Sequence, residues 1–182
     1  MQKIFFLLGF LVTAQFVMAQ QKPTDLDKSP LDVSYYPANY PIAKMRGQAN
    51  GEPAARILYS RPQLKGRSIF GEEVKYNEVW RVGANEATEI EFFKNAVIGG
   101  KKIPKGRYTL YCIPTPTKWT MIINKNNYTW GSFTYKSDKD VARIDVPVQK
   151  VTDPAEALTI YFENSSIAIM WDTLKVNVPV SF

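Results

Sequence analysis

The sequence predicts an all-β fold: a single antiparallel β-sandwich, jelly-roll-like, within one domain. Three observations predict it. Short runs alternate apolar and polar residues with a period of two, as half-buried strands do. Turn-forming groups such as Gly99-Gly100 and Pro104-Lys105-Gly106 separate those runs at short intervals. No segment of useful length carries the 3.6-residue period of an amphipathic helix. Strands joined by tight turns pair mainly antiparallel, and two layers packed face to face bury the apolar side of each.

The first residues stand apart from this pattern. Lys3 precedes the apolar run Ile4 to Val12, and Val17 and Ala19 set small residues three and one positions before a cut after Ala19. This is the pattern of a secretory signal peptide over residues 1–19. The apolar run falls short of the ~20 residues that a spanning helix needs, and no cysteine at the cut offers a lipid attachment point. Residues 20–28 read as a flexible polar leader. Residues 29–182 read as one domain, long enough to bury a core without disulfides. The expected product is exported, periplasmic or extracellular, and soluble after cleavage, with no membrane span.

Within that domain, Ser29 to Pro37 starts a first strand, and Ala38 to Gly51 is an irregular connection with a short helical turn near Ala43–Arg46. Ala54 to Ser60 is a strand with Ile57 and Tyr59 on one face and Leu58 on the other. A charged, glycine-containing loop, Gln63 to Val74, follows. Thr88 to Phe93 alternates again, with Thr88, Ile90 and Phe92 on one side and Glu89, Glu91 and Phe93 on the other. Val97-Ile98 and Lys101–Ile103 flank the Gly99-Gly100 turn, and Arg107 to Ile113 is rich in β-favouring residues. Lys118 to Asn124 is apolar on both faces, the mark of a central strand. Tyr128 to Tyr135 is aromatic-rich and expected to be extended. Val141 to Val148, Ala157 to Glu163, Ile167 to Trp171 and Leu174 to Val180 complete the set, with Pro179 marking an edge or a strand end.

Composition narrows the chemistry. The chain has no histidine and one cysteine, Cys112. Ser-His-Asp and Cys-His hydrolysis are thereby excluded within the chain, as are the usual histidine-ligated metal sites. Cys112 reads as a small buried hydrophobe rather than a nucleophile, because its usual base is missing. The formal charge of +6, one unit of it from Lys3, is spread along the chain without a basic stripe. That argues against a nucleic-acid partner. No stretch has the ordered acidic spacing of a calcium loop, and no cofactor is expected.

Three groups of residues carry functional readings. Arg61, Lys65, Arg67, Trp80, Arg81, Asn85, Glu86 and Thr88 lie in the loops around Trp80. Guanidinium forks and an indole face can hold a small anionic ligand or a glycan; the same residues can equally lock the loops through Arg81–Glu86 or Arg81–Glu78 pairs. Glu72, Glu73, Glu78 and Glu86 are the acids a glycosidase-like pair would need, and acids in loops are also commonly solvated. Trp119, Tyr128, Trp130, Phe133 and Tyr135 form either a sugar-stacking platform or ordinary core and edge packing.

Four strings give the chain a likeness to a known group: Tyr59-Ser60-Arg61-Pro62 with Lys65-Gly66-Arg67 and Ile69-Phe70-Gly71; Val79-Trp80-Arg81 followed by Gly83 to Thr88; Ile98-Gly99-Gly100-Lys101 through Tyr108; and Trp119-Thr120 through Asn124-Lys125. Together they resemble the uncharacterised, mostly exported bacterial domain-of-unknown-function family 2911. The resemblance implies a β-rich exported domain and brings no reaction, ligand or site residue with it. The leading expectation is therefore a non-catalytic exported sandwich that binds a small anionic ligand, a glycan or a protein partner. A carboxylate-based hydrolase such as a glycosidase, and a structural envelope or assembly component using an exposed strand edge, are the alternatives. The sequence leaves the oligomeric state open.

Overall fold

A computed structural model describes residues 25–182. The signal-peptide expectation, and the leader up to residue 24, lie outside the described residues. Two antiparallel sheets pack face to face. The larger runs in the order β1 (Leu31–Tyr36), β2 (Ala55–Ser60), β3 (Glu89–Phe92), β6 (Gly106–Pro114), β7 (Lys118–Asn124), β8 (Asp140–Pro147). The smaller runs β5 (Lys101–Ile103), β4 (Ala96–Ile98), β10 (Ser166–Ser181), β9 (Gln149–Glu163). A short helix, α1 (Tyr40–Met45), links β1 to β2, with Pro41 in its first turn where no helical N–H is needed.

The alternation read from the sequence sets the layers. Ile57, Tyr59, Ile90, Phe92, Leu110, Cys112, Trp119, Met121 and Ile123 point inward from the larger sheet and meet Ile98, Ile103, Leu158, Ile160, Ile169 and Val176 from the smaller. Strand β7 is buried on both sides, as expected for a central strand. On its outer face Ile122 joins Tyr111 and Ala87 in a second, smaller apolar cluster. The sheets also approach at their margins: β9 runs beside β1 and β2, and β8 beside β5 and β10.

Two expectations change. The aromatic segment 128–135 is not a strand. It makes only an isolated bridge between Trp130 and Glu86, because Tyr128 and Gly131 take left-handed backbone angles (φ 60° and 64°) that end a ladder. It folds instead as a loop over the outer face of the larger sheet, where Thr109 Oγ1 donates to Asn126 O at 2.7 Å and Asn127 Nδ2 to Arg107 O at 3.0 Å. The C-terminal strands are longer than alternation alone suggested. β9 continues through Pro154, which an edge strand tolerates. β10 continues through Asp172, whose left-handed φ of 55° accompanies a register shift against β9.

Candidate functional site

The site grows from an interruption in the larger sheet. Trp80 pairs with β6, its N–H donating to Cys112 O at 2.7 Å while Cys112 N donates to Trp80 O at 2.9 Å. Along the same strand, Leu110 N next donates to Thr88 O at 2.8 Å. The chain between these rungs, 81–87, is pushed out of the sheet as a compact loop whose ends lie side by side. Thr88 closes its neck twice: its N–H donates to Arg81 O at 3.1 Å and its hydroxyl to Val82 O at 2.7 Å. Val82 sits in the left-handed region (φ 56°), which a β-branched residue adopts only when its surroundings hold it there. The Trp80 indole N–H donates to Gly83 O at 3.3 Å and secures the same turn.

On one side of this loop lies a cleft of about 180 Å3 lined by Ser29, Arg67, Glu73, Trp80, Arg81 and Trp171, among others. Its floor is aromatic. Trp80 and Trp171 stack with centroids 6.1 Å apart, and Phe70 and Trp119 pack behind them. The two arginines differ sharply. Arg67 is committed: it donates to Leu64 O at 3.0 Å and Gln63 O at 2.6 Å and pairs with Glu73 at 3.3 Å. Arg81 is not. Its Nε is buried without an acceptor among the described residues, and burial alone pulls its affinity for the proton down, with no carboxylate to offset it. Trp171, 3 % exposed, likewise holds an indole N–H with no acceptor. Trp119 has one too, but in the core rather than at the cleft. With Arg67 balanced by Glu73, Arg81 leaves the cleft one positive charge in excess. Two unsatisfied donors beside a stacked indole floor are groups that can accept an oxyanion as their missing partner.

Of the eight loop residues singled out from sequence, the structure thus brings Arg67, Trp80 and Arg81 together. Arg61 lies elsewhere, stapling the two sheets: it donates to Leu158 O at 3.1 Å and Thr159 Oγ1 at 3.0 Å and pairs with Asp32 at 3.1 Å. Lys65 is exposed in a turn whose N–H donates to Glu156 Oε1 at 3.0 Å. Asn85 ties the loop tip down, with Nδ2 donating to Asp27 Oδ2 at 2.9 Å and its carbonyl accepting from Gly131 N at 2.9 Å. Thr88 is the buried closure already described, and Glu86 is exposed on the far side of the loop. The anticipated pairs of Arg81 with Glu86 or Glu78 are not formed. Trp171 had no signal in the sequence, since it arrives from β10, remote in the chain.

The acids expected for hydrolysis do not gather. Glu73 faces Arg67 in this cleft, Glu86 lines a different one, and Glu72 and Glu78 line neither. Cys112 is fully buried, and burial pushes its thiol well above the usual range, as the reading of a packing residue requires. The aromatic set divides. Trp119 is core, and Tyr135 packs edge-on against Tyr111, while Tyr128, Trp130 and Phe133 are exposed. Among the described residues no helix is long and apolar enough to cross a membrane, and no cluster of acids, cysteines or histidines is arranged to hold a metal.

The family model DUF2911, described as a protein of unknown function, matches residues 41–180. No curated protein and no solved structure matches the chain.

Proposed function

The chain belongs to the DUF2911 family, and from that premise we propose that it is a non-catalytic, exported binding domain whose cleft beside Arg81 captures a small oxyanion, a carboxylate or phosphate group. The observation that carries this reading is the half-buried Arg81 guanidinium, which has no hydrogen-bond or ion-pair partner among the described residues and whose Nε is buried. A half-buried cation with no counter-charge costs stability. A fold has no structural reason to keep one, whereas a receptor does, since the ligand supplies the missing partner. The unsatisfied indole N–H of Trp171 adds a second donor, and the stacked indoles offer an apolar wall for the rest of the ligand. At about 180 Å3 the space is small for a drug-sized molecule, which typically fills ~300 Å3 or more, so a short organic acid or a single phosphoryl group suits it. Export enters this proposal through the leader sequence.

Calorimetric titration with acetate, succinate, citrate, sulfate and inorganic phosphate tests it. At least one should bind, and Arg81→Met should weaken that binding by about tenfold to a hundredfold, the worth of a charge-assisted hydrogen bond. Absence of binding by every anion, or equal binding by the variant, would overturn the assignment.

A further inference from the structure

On the opposite side of the extruded loop lies a second cleft, of about 330 Å3, between the ends of β1 and β2 and the aromatic loop. We propose that this cleft is a separate binding site for a neutral hydroxylated ring, that is, one unit of a saccharide. It is independent of the anion cleft in residues and in charge.

Its walls combine two kinds of surface. Leu31, Leu58 and the Tyr128 ring are apolar; Ser60, Glu86 and Glu89 are polar. Ser60 is the most informative. By strand alternation it shares the outward face of β2 with Arg56 and Leu58, yet it is 1 % exposed, and its hydroxyl has no partner among the described residues. A buried hydroxyl without a partner is rare in folded proteins, and one in the wall of a cleft can be satisfied by a ligand that bonds to it.

The charged groups decide the ligand class. Glu86 is exposed and enters no ion pair among the described residues, and Glu89 has only Arg107 at 3.9 Å, a cation that Glu91 shares at 3.5 Å. Two carboxylates accept hydrogen bonds and repel anions. A cation is already seated at the cleft's edge: the Arg107 guanidinium, outside the lining itself, lies over the Tyr128 ring at 5.5 Å from its centroid, donates to the Tyr128 hydroxyl at 3.0 Å and faces Glu89 at 3.9 Å. Neutral hydroxyl donors suit both conditions.

Tyr128 supplies the stacking surface. It is 77 % exposed, and its left-handed backbone is a strained conformation for an aromatic residue. Arg107 pins one face and the phenol oxygen, so the ring is presented in a fixed attitude. Trp130 and Phe133, 60 % and 87 % exposed on the same loop, extend the apolar surface beyond the cleft, where further units of a chain would lie.

Saturation-transfer NMR with glucose, galactose, mannose, N-acetylglucosamine and their β-linked tetramers tests the proposal, with affinities measured on Tyr128→Ala, Ser60→Ala and Arg81→Met proteins. At least one saccharide should bind, a tetramer more tightly than its monomer. Tyr128→Ala should weaken it about tenfold, as loss of a stacked ring does, and Ser60→Ala severalfold. Arg81→Met should leave it unchanged, which separates this site from the anion cleft. Tyr128 is exposed and the Ser60 hydroxyl bonds to nothing, so both variants should melt at or near the wild-type temperature. The proposal is overturned if no neutral saccharide binds, if a panel of primary amines binds in their place, if Tyr128→Ala binds as well as wild type, or if Arg81→Met abolishes saccharide binding.

Discussion

The loop 81–87 gives Arg81, Gly83 and Ala84 to one cleft and Glu86 and Ala87 to the other. Arg81 and Glu86 are only five residues apart, close enough for a folded loop to bring them into contact. Here the loop backbone stands between them. Pinned at Thr88 on one side and at Thr129 and Gly131 on the other, it holds the two charges apart without letting them pair. The comparison extends to the other arginines. Arg61 and Arg107 spend their donors on carbonyls, hydroxyls or carboxylates of the protein itself. Of these three, only Arg81 makes no hydrogen bond or ion pair among the described residues, and its Nε is buried. Arg61 and Arg107 are saturated by the fold, and Arg81 is the one of the three with donors left for the proposed ligand.

The largest effect should come from breaking both clefts at once. Thr88→Val keeps the side-chain volume but removes the donor to the buried Val82 carbonyl. It should cost about 1–3 kcal/mol in denaturant unfolding and weaken anion and saccharide binding together. If either ligand bound as before, the loop would not be the shared wall described above. Trp171→Phe sharpens one side only. The aromatic floor survives and the unsatisfied N–H goes, so anion affinity should fall by a few-fold to about tenfold, the range of a neutral hydrogen bond, with saccharide binding intact.

A smaller effect separates the sides by pH. Burial first, and then the hydrogen bond to Asp140, push the Tyr135 hydroxyl up to about 12 from an ordinary 10.0. The folded state therefore keeps this proton after the unfolded chain has lost it. The stability it contributes is fully present below pH 10 and is lost as pH rises through 12. Tyr135 anchors the end of the aromatic loop against Tyr111, so alkaline solution should loosen the saccharide side, and Tyr135→Phe should flatten the slope of stability against pH in that window. An unchanged slope in the variant would assign the alkaline loss to other groups, Cys112 first among them.

The layers were legible because alternation reports burial directly: Ile57 and Tyr59 against Leu58, or Ile90 and Phe92 against Glu89 and Glu91, needed only a period of two. The aromatic segment misled because Tyr128, Trp130, Phe133 and Tyr135 have strong strand preferences, while the left-handed turn at Tyr128 is imposed by contacts with Arg107 and Thr109 from β6. The site was legible in part for a related reason. Arg67, Trp80 and Arg81 sit close along the chain, so a local reading could group them. Arg61 is just as near along the chain, but it bonds instead to Leu158 and Thr159 of β9. Trp171, Ser60 and Glu89 became visible only when pairing across the sheets set them beside the loop.

The central claim is that Arg81 is held desolvated for a ligand and contributes nothing to the fold. Urea unfolding of ligand-free wild-type and Arg81→Met protein tests it most directly. Removing a half-buried cation whose Nε is unsatisfied should raise the midpoint at unchanged slope, a gain of about 1 kcal/mol. A midpoint lowered by a similar amount would show that Arg81 supports the structure, and would contradict the account.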